Sequence, residues 1–527
     1  MRVLVVGSGP VGARLAEELV PAVRSGSVEL TLVGAEPVPA YNRVLVAEHA
    51  VGGPVFDEIV VQDPDALAEA GVRVRLGTRV VSVDAAARTA LLEDGEPVEY
   101  DRIVFATGAR ANVPTLDGIL RVARDRTSLE RAGTALVGAD DALPSGVTTL
   151  RDLEDAARVA AAVEGRRRIV VLGAGVLGLE FALLAARAGC EVVVVHHGPT
   201  PMPRNLDRGG GLTLAQSLRR AGVGIVAHSR AEAIAYRHDE TTGEAHFDAL
   251  VTADGKHVHG SLLVLSCGVG ARSELATLAG LRVEQGVVVD RTLTSWSDPS
   301  VHAIGDCAHV ADPPAEGDAG GRIGGGPSGL IGPGWQQADW LAARLSAEAS
   351  GAPFDVPPPA ERPAVVMLKG EGVDCVAVGD VAAEPWDSPE DGRRVAQWAD
   401  PEHGAYVKTL TRAGVLTGFV AVGMPRTAAE LTILFDRGGE LPADRSLLLR
   451  FDGADHDPSS ESATITPETT ICWCNGVSAG RIADAAACGA TCVSEVGAAT
   501  RAGTGCGGCK DRIQAVLDGA MSPASVA

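Results

Sequence analysis

Residues 3–12, with the sequence VLVVGSGPVG, decide how the chain begins to fold. A short apolar strand runs into glycines at Gly7, Gly9 and Gly12, the spacing G-x-G-x-x-G. Gly7 permits a tight turn, Gly9 lets a pyrophosphate approach the backbone, and Gly12 lets the following helix pack on the strand. An amphipathic helix and a second strand, VELTLVG (28–34), complete a β-α-β unit. The sequence therefore predicts a nucleotide-binding domain at this end.

The same pattern recurs in residues 167–197, RRIVVLGAGVLGLEFALLAARAGCEVVVVHH. Its glycines are Gly173, Gly175 and Gly178, again between an apolar strand and a helix. Two such units in one chain predict two nucleotide-binding domains or a duplicated one. Two further apolar strands end in small-residue turns, YDRIVFATGAR (100–110) and SVHAIGDCAHV (300–310).

Length, charge and hydropathy limit the class of protein. A chain of 527 residues is too long for one core, which predicts three or four domains. The formal charge is −22 without a basic stripe, which argues against a nucleic-acid partner and an anionic membrane surface. The most apolar long window, 168–195, contains charged residues and is not expected to span a membrane. No leader pattern precedes the first strand, so a cytoplasmic location is expected.

The four motifs, taken in order, resemble the two-dinucleotide-binding flavoprotein disulfide reductase superfamily over about residues 1–340. The predicted fold class is α/β. The resemblance implies two Rossmann-like domains of the glutathione-reductase type, short apolar runs in residues 363–450 predict an α+β C-terminal domain, and the cysteine-rich tail described below adds a small helical [2Fe-2S] domain. The resemblance also implies that the first glycine turn binds FAD. Independently, Glu36 ends the second strand, where a carboxylate can accept ribose hydroxyls, although a solvated acid is the alternative. The residues assigned to FAD are Gly7, Gly9, Pro10, Gly12, Glu36, Arg43, Ala106, Thr107, Gly108, Asp306 and Trp335.

The second glycine turn is expected to bind NAD(P)H, by the same resemblance. Glu180 is a candidate contact on the nicotinamide side and the one catalytic candidate, with a helix-capping role as the alternative. An acid at the end of the second strand would favour NADH, but His196 and His197 stand there. NADH is favoured only from the branch of the family. The residues assigned to NAD(P)H are Gly173, Gly175, Gly178, Glu180, His196 and Gly268.

The residues after the first β-α-β unit indicate which branch of the superfamily the chain resembles. No cysteine occurs before Cys190, which excludes a dithiol relay beside the flavin. The words PAYNR (39–43) resemble the ferredoxin-reductase-like and nitrite-reductase-like branch, in which Arg43 would contact the FAD phosphate or ribose. Many ferredoxin-reductase relatives carry a lysine five residues later. Here Glu48 takes that place, which puts a lysine–Glu180 pair in doubt.

Four cysteines near the C-terminus have the spacing of a metal site. The order C-x-C, thirty-one residues, C-x-x-C suits zinc or an iron–sulfur cluster, and the tight C-x-C arm favours the cluster. The surrounding words, CWCNGVSAGRI (472–482) and TRAGTGCGGCK (500–510), resemble the bacterioferritin-associated-ferredoxin-like (BFD-like) [2Fe-2S] domain. By that resemblance the cluster ligands are Cys472, Cys474, Cys506 and Cys509.

The other six cysteines are expected to be core thiols. Cys488 and Cys492 are four residues apart and are interpreted as small buried helix residues. The remaining four are scattered and mostly apolar-flanked, at Cys190, Cys267, Cys307 and Cys375.

Composition breaks divide the chain into five parts. The predicted domains are an FAD-binding domain (1–120 and 246–345), an NAD(P)H-binding domain (121–245), an α+β interface domain (346–450), a linker (451–468) and a BFD-like [2Fe-2S] domain (469–520). The polar, acidic linker is expected to permit movement of the last domain if it is flexible.

Together the parts predict an NAD(P)H-oxidising electron carrier. A hydride brings two electrons and a [2Fe-2S] cluster accepts one, so a flavin between them resolves the mismatch. The chain resembles the N-terminal half of assimilatory nitrite reductase large subunits and the electron-transfer subunits of assimilatory nitrate reductases. Residues 328–338, SGLIGPGWQQA, also fit that branch and could lie against the flavin ring, with Trp335 to Gln337 as candidates.

The expected partner is a separate nitrate or nitrite reductase catalytic subunit, because no sirohaem or molybdenum module is recognised before Ala527. Two alternatives stay open. One is a ferredoxin-reductase-type enzyme for another acceptor, such as ferritin iron. The other is a non-catalytic iron–sulfur sensor that binds NAD(P). A homodimer is also left open.

Overall fold

The computed structural model describes residues 1–119, 143–238, 241, 243–313, 323–359, 363, 365–387, 392–452, 466–472, 475–504 and 509–520. Most of the predicted linker lies outside these residues, as do Cys474 and Cys506. Within the described residues, no helix is both long enough and apolar enough to cross a bilayer.

Residues 1–119 begin the first nucleotide-binding unit. The strand β1 pairs in parallel with the strands on both of its sides, so its residues Val3–Val6 are buried, as a continuous apolar run requires. The elements are β1 (Arg2–Val6), α1 (Pro10–Arg24), β2 (Glu29–Val33), α2 (Val46–Ala50), α3 (Phe56–Ile59), α4 (Pro64–Glu69), β3 (Arg73–Arg75), β4 (Val80–Asp84), β5 (Thr89–Leu92), β6 (Pro97–Glu99), β7 (Arg102–Phe105) and β8 (Ala109–Ala111).

Residues 143–265 form the second unit. Its elements are β9 (Val147–Thr148), α5 (Leu153–Glu164), β10 (Ile169–Leu172), α6 (Val176–Arg187), β11 (Val192–Val195), α7 (Arg208–Arg220), β12 (Val223–Val226), β13 (Ala231–His238), β14 (Ala245–Thr252), β15 (His257–His259) and β16 (Leu262–Leu265). A five-stranded parallel sheet has the order β12-β11-β10-β16-β9, and β13–β15 form an antiparallel sheet. Because β16 pairs with β10, the second unit continues past residue 245, where the sequence predicted its end.

Residues 269–350 return to the first unit. The elements are β17 (Val269–Ala271), α8 (Glu274–Leu278), β18 (Val287–Val289), β19 (Val301–Ala303), β20 (Ala308–Val310) and α9 (Ile331–Ser350). Strand β19 pairs in parallel with β7, which gives the sheet order β19-β7-β1-β2-β3. Leu4, Phe105, Val301 and Leu341 belong to one core. The first unit is therefore discontinuous in sequence.

The next unit is α+β, as predicted. A five-stranded antiparallel sheet, in the order β21-β22-β25-β24-β23, carries one helix. The elements are β21 (Val366–Gly370), β22 (Val373–Val378), β23 (Arg393–Asp400), β24 (Ala405–Arg412), β25 (Val415–Val422) and α10 (Pro425–Asp436), followed by a 3-10 helix (Arg445–Asp452).

A buried polar cluster joins this antiparallel sheet to the second unit. Lys408 on β24 is fully buried, and its Nζ lies 3.1 Å from Oδ2 of Asp207, the N-cap of α7. The Tyr406 hydroxyl donates to the same carboxylate, and burial raises the pKa of that phenol. A charge this deep requires its partner, because removing one member would leave the other uncompensated. The cluster therefore fixes how the two units pack.

The C-terminal residues form a small domain with a core of its own. Two short strands and three helices bury Ile471, Val477, Ile482, Val496 and Ile513. The elements are β26 (Thr470–Cys472), β27 (Val477–Ser478), α11 (Ala479–Ala487), α12 (Val493–Thr500) and α13 (Lys510–Ala520). This is the small helical domain that the sequence predicted.

The interpretation of Cys488 and Cys492 as buried helix residues was wrong. Cys488 is exposed and Cys492 is half-buried. They stand at the C-cap of α11 and the N-cap of α12, so both flank the turn between two helices. Of the other predicted core thiols, Cys190, Cys307 and Cys375 are buried, whereas Cys267 is only half-buried.

One core histidine makes the first unit sensitive to acid. His302 on β19 is 1% exposed, and its Nε2 has no hydrogen-bond partner within the described part of the chain. Burial, together with the charges of Arg344 and Arg102, lowers the pKa of His302 to about 4. Below pH 6.5 the His302 side chain takes up a proton in the unfolded chain but stays neutral in the folded protein. The contribution that neutral His302 makes to the free energy of unfolding is present at neutral pH and is lost as the pH falls from 6.5 to 4.

We predict that His302→Gln weakens this acid dependence. Between pH 7 and pH 4 the free energy of unfolding should fall by about 3 kcal/mol less in the variant than in the wild type. Urea unfolding at several pH values measures the difference. Substitution of the exposed His238 by Gln is the matched control and should keep the wild-type dependence. Parallel curves for the wild type and His302→Gln would contradict the prediction.

Candidate functional site

A cavity of about 1500 Å³ lies between the two nucleotide-binding units. It is lined by residues of both glycine turns and of both intervening motifs, so most of the predicted nucleotide contacts share one space. The predicted residues on its wall are Gly7, Gly9, Pro10, Glu36, Arg43, Ala106, Thr107, Gly108, Gly178, Glu180, Gly268 and Asp306. The predicted residues that do not line it are Gly12, Gly173, Gly175, His196 and Trp335.

The first glycine of each turn has the same strained geometry. Gly7 has φ +116°, and a Cβ there would lie 2.2 Å from the carbonyl oxygen of Ala106, just after β7. Gly173 has φ +117°, and its Cβ would lie 2.1 Å from the carbonyl oxygen of Ser266, just after β16. Only glycine fits such a contact at positive φ. Both turns therefore press against the end of the neighbouring parallel strand.

The first turn has the shape that a pyrophosphate requires. A Cβ at Gly12 would lie 1.9 Å from the carbonyl oxygen of Gly7, so α1 packs directly on the turn. At Gly9, by contrast, the described residues place no atom within 4 Å of the Cβ position apart from the immediate chain neighbours, and the residue faces the cavity. The backbone is thus open to a ligand at the one position where the motif demands access. These residues fit the pyrophosphate of FAD.

Several helices begin at the cavity wall, among them α1, α6 and α9. The helices α1, α6 and α9 have Gly9, Gly175 and Leu330 as N-caps, and none of the three makes a side-chain capping hydrogen bond. Residues in the first turn of each helix line the cavity. The N–H groups and positive dipole ends at helix starts attract anions. The cavity is therefore suited to the phosphates of two nucleotides.

Glu36 belongs to a polar cluster at one end of the cavity. Its carboxylate accepts a hydrogen bond of 2.8 Å from the Tyr41 hydroxyl and forms an ion pair with Arg43. The Arg43 guanidinium lies 4.8 Å from the centre of the Tyr41 ring. Burial raises the pKa of Tyr41, so the hydroxyl remains a donor at neutral pH. Glu36 is thus held three residues beyond β2, with a carboxylate on the cavity wall.

Asp306 has a partner that the sequence did not indicate. Arg151, also on the cavity wall, donates from Nη2 to Oδ2 of Asp306 at 2.7 Å. The preceding residue, Gly305, donates its N–H to Oε1 of Gln337 at 2.8 Å. The turn that carries Asp306 is therefore anchored from two sides. Arg151 was missed because one arginine before a helix N-cap is a weak signal in an arginine-rich chain.

Trp335 lies behind the cavity wall. Its side chain is buried between α9 and α1, and its Nε1 donates to the carbonyl oxygen of Pro10 at 3.2 Å. The next two residues, Gln336 and Gln337, line the cavity instead. Trp335 thus supports the turn at the start of α1 from behind.

The residues predicted to contact NAD(P)H are divided between two environments. Glu180 is the fifth residue of α6, beyond its first turn, which excludes the capping role. It lines the cavity beside Gly178. His196 is buried, and within the described residues neither ring nitrogen has a hydrogen-bond partner. Burial, followed by the charges of His197 and His228, lowers the pKa of His196 to about 4, so the ring is neutral.

Two of the four predicted cluster ligands lie in the described residues, and they come together. Cys472 and Cys509 are both buried. A hydrogen bond with the Cys509 thiol lowers the pKa of Cys472 to about 6 despite burial, and the N–H groups of Gly503 and Asn475 act in the same direction. A thiol that ionises this readily is a good metal ligand. The pair fits an iron–sulfur cluster.

The cavity extends to this domain. Besides the two nucleotide turns, it is lined by Thr470 and Gly476, which flank the C-x-C arm of the predicted cluster site. Residues of the first and second glycine turns and two residues that flank the C-x-C arm therefore lie on the wall of a single space.

Comparison with known proteins gives two matches along the chain. Residues 1–330 match the family described as pyridine nucleotide-disulphide oxidoreductase. Residues 470–519 match the BFD-like [2Fe-2S] binding domain. The predicted cofactors, FAD, NAD(P)H and a [2Fe-2S] cluster, are confirmed by these matches, and so is the class of enzyme, an NAD(P)H-dependent FAD and iron–sulfur oxidoreductase.

Curated relatives align along nearly the whole chain. Nitrite reductase [NAD(P)H] of Bacillus subtilis (strain 168) is 26% identical over 98% of the chain and 57% of the relative. The assimilatory nitrate reductase electron transfer subunit of the same organism is 26% identical over 98% and 59%. The nitrite reductase [NAD(P)H] large subunit of Klebsiella oxytoca is 29% identical over 98% and 48%. The chain thus spans about half the length of the curated relatives it matches, and the predicted branch is confirmed.

A solved structure shares the fold. The reductase in the covalent putidaredoxin reductase–putidaredoxin complex matches with a TM-score of 0.65 at 22% identity, over 85% of this chain and 95% of the other. With its paired glycine turns, its shared cavity and a family match over 330 residues, the chain belongs to the pyridine nucleotide-disulphide oxidoreductase family.

Proposed function

We propose that this chain oxidises NAD(P)H in the central cavity and delivers the electrons, one at a time, through its [2Fe-2S] domain to a separate nitrate- or nitrite-reducing subunit. The observation that carries the proposal is the reach of the cavity from the glycine turns to Thr470 and Gly476. FAD, when bound, supplies the exchange between hydride and single electrons.

The FAD assignment follows from the first unit. The N–H groups at the start of α1, next to the open Gly9, would hold the pyrophosphate, and Glu36 would accept hydrogen bonds from ribose hydroxyls. Asp306 and Arg151 form an ion pair on the wall of the same cavity. Arg151 would hold the Asp306 carboxylate in place for the cofactor. The chain's own role is to bind and orient the cofactor.

The NAD(P)H assignment follows from the second unit. The start of α6 would hold the pyrophosphate, and Glu180 and Gly268, which lie on the cavity wall, are the candidate contacts for the rest of the nucleotide. His196, with a pKa of about 4, is neutral at physiological pH and offers no charge to a 2′-phosphate. This supports a preference for NADH.

The partner is inferred from the relatives. One of them is named as an electron transfer subunit of an assimilatory nitrate reductase, and others as nitrite reductases. A one-electron carrier at the end of the path suits a metal-containing acceptor. We therefore infer a separate catalytic subunit that reduces nitrate or nitrite.

Gly7→Ala should abolish FAD binding. The new Cβ would lie 2.2 Å from the Ala106 carbonyl oxygen at a φ of +116°, which forces the turn open. Flavin absorbance of the purified protein measures the loss. Gly26→Ala is the control, because Gly26 also has positive φ but has no atom within 4 Å of its Cβ position. A Gly7→Ala protein with full flavin content would contradict the assignment of this turn.

Cys472→Ser should remove the cluster and spare the flavin. A serine oxygen is a poorer ligand for iron than a thiolate, so the cluster's visible absorption and electron paramagnetic signal should disappear. NAD(P)H should still bleach the flavin. Cys488→Ser, at an exposed cysteine of the same domain, should keep both spectra. Loss of FAD in the Cys472→Ser protein would show instead that the domain is structural.

Addition of the catalytic subunit of an assimilatory nitrate reductase should make nitrate reduction dependent on NADH, with NADPH supporting a slower rate. Product nitrite, measured with each nucleotide in parallel, reports both the partner and the preference. An artificial one-electron acceptor serves as the control for electron output without a partner. If that acceptor is reduced but nitrate is not, another acceptor is the target. If NAD(P)H bleaches neither flavin nor cluster, the chain is a sensor.

A further inference from the structure

The [2Fe-2S] domain is docked on the FAD-binding unit through charged side chains. Arg501, at the end of α12, places Nη2 3.0 Å from Oε2 of Glu17 and 3.1 Å from Oε1 of Glu18, both on α1. The three side chains are each about one-third exposed, so the pair lies at the edge of the contact. An exposed ion pair contributes little by itself. Its importance depends on the contacts around it.

A second contact lies closer to the cluster site. Arg14 on α1 donates from Nε and Nη2 to the two oxygens of Asp339 on α9, at 2.5 and 2.6 Å. Its remaining nitrogen, Nη1, lies 3.5 Å from Oδ1 of Asn475 in the cluster domain. The Arg14 guanidinium also lies 5.7 Å from the centre of the Trp335 ring. Arg14 is thus held by two helices of the FAD-binding unit and faces the cluster domain.

Asn475 connects this contact to a cluster cysteine. Its Nδ2 donates to the carbonyl oxygen of Arg501 at 2.7 Å and lies 3.8 Å from the Sγ of Cys472. The side-chain amide of Asn475 therefore contacts Arg501, Arg14 and the predicted cluster ligand Cys472. Asn475 thus links the backbone of Arg501 to the surroundings of Cys472.

A third contact comes from the loop next to the polar cluster of Glu36, Tyr41 and Arg43. Asn42, between Tyr41 and Arg43, donates from Nδ2 to the carbonyl oxygen of Thr504 at 3.0 Å. Its own Oδ1 accepts from the N–H of Val44, which fixes the amide. Residues 501–504 are thus held both by α1 and by the loop that carries Arg43. Three separate contacts therefore hold the domain against the FAD-binding unit.

The backbone of Arg501 gives independent support. Arg501 has φ +64° at the C-cap of α12, a left-handed position where glycine is strongly preferred. A side chain there is unfavourable for the domain alone. The guanidinium is the only part of the residue that reaches Glu17 and Glu18. Arg501 thus combines a left-handed backbone position with a side chain that contacts α1, so replacing it with glycine can remove the contact without straining the backbone.

We infer that the docked arrangement is the one in which electrons pass from the flavin site to the cluster, and that Arg501 is the positioning residue that maintains it. The inference rests on the proposed function. One NAD(P)H gives up two electrons and a proton to become NAD(P)⁺. The two electrons leave singly through the docked domain to the acceptor, and the proton is released to solvent.

Arg501→Gly tests this role without harming the domain, because glycine suits the left-handed C-cap better than arginine. Stopped-flow spectroscopy of the full-length protein with NADH follows flavin bleaching and cluster bleaching separately. Flavin bleaching should stay at the wild-type rate. Cluster bleaching should slow about tenfold if the docked population falls to about one-tenth. Small-angle X-ray scattering should show a larger maximum dimension.

Arg88→Gly is the matched control. Arg88 is an exposed arginine with φ +53° in the turn between β4 and β5, so the substitution removes the same side chain and relieves the same backbone strain. It should leave both bleaching rates and the scattering curve unchanged. If Arg501→Gly behaves like Arg88→Gly in both measurements, the inference is overturned.

The scattering measurement separates this inference from the proposed function. If the wild-type cluster is not bleached by NADH, the proposed function fails. An expanded Arg501→Gly protein would still show that Arg501 holds the domain, whereas an unchanged one would overturn that as well. If the Arg501→Gly protein is expanded but its cluster is still bleached at the wild-type rate, the proposed function stands. The inference that electrons pass through the docked arrangement is then overturned.

Discussion

The two nucleotide-binding units of this structure depend on two backbone contacts that only glycine allows. At Gly7 and at Gly173, a positive φ presses the turn against the carbonyl oxygen that follows the neighbouring parallel strand. This contact sets where α1 and α6 begin, and so where their unpartnered N–H groups point. Because β7 and β16 each supply the opposing carbonyl, the geometry is repeated in both sheets. One cavity thereby receives two phosphate-binding helix starts.

Much of this arrangement was predictable because it is local. A buried strand of four or five apolar residues followed by G-x-G-x-x-G specifies the strand, the turn and the start of the helix together. The end of the second unit was not predictable in the same way. Strand β16 joins the sheet only after the antiparallel strands β13–β15, and pairing across such an insertion leaves no local pattern. The two halves of the first unit are separated for the same reason.

The site was predictable in chemistry but not in orientation. Trp335, Gln336 and Gln337 are consecutive on α9, yet only the glutamines face the cavity, because successive residues of a helix point about 100° apart. The sequence around these residues does not indicate which face of α9 packs against α1. Arg151 approaches Asp306 from a segment 155 residues away, and no spacing rule connects them. Cys488 and Cys492 are four residues apart, a spacing that predicted one helix, but they lie at the end of one helix and the start of the next.

The two ends of the electron path place different demands on the protein. Hydride transfer requires contact and alignment of two bound molecules, and the two parallel sheets with their glycine turns provide the walls for it; the buried Lys408–Asp207 pair holds the antiparallel sheet on the second of these units. Transfer of a single electron does not require such contact between the reacting atoms. A small domain held by Arg501, Asn475 and Asn42 is sufficient there, since polar contacts fix an orientation without a large apolar interface. The division of the chain into rigid nucleotide units and a docked cluster domain therefore follows from the chemistry at each end.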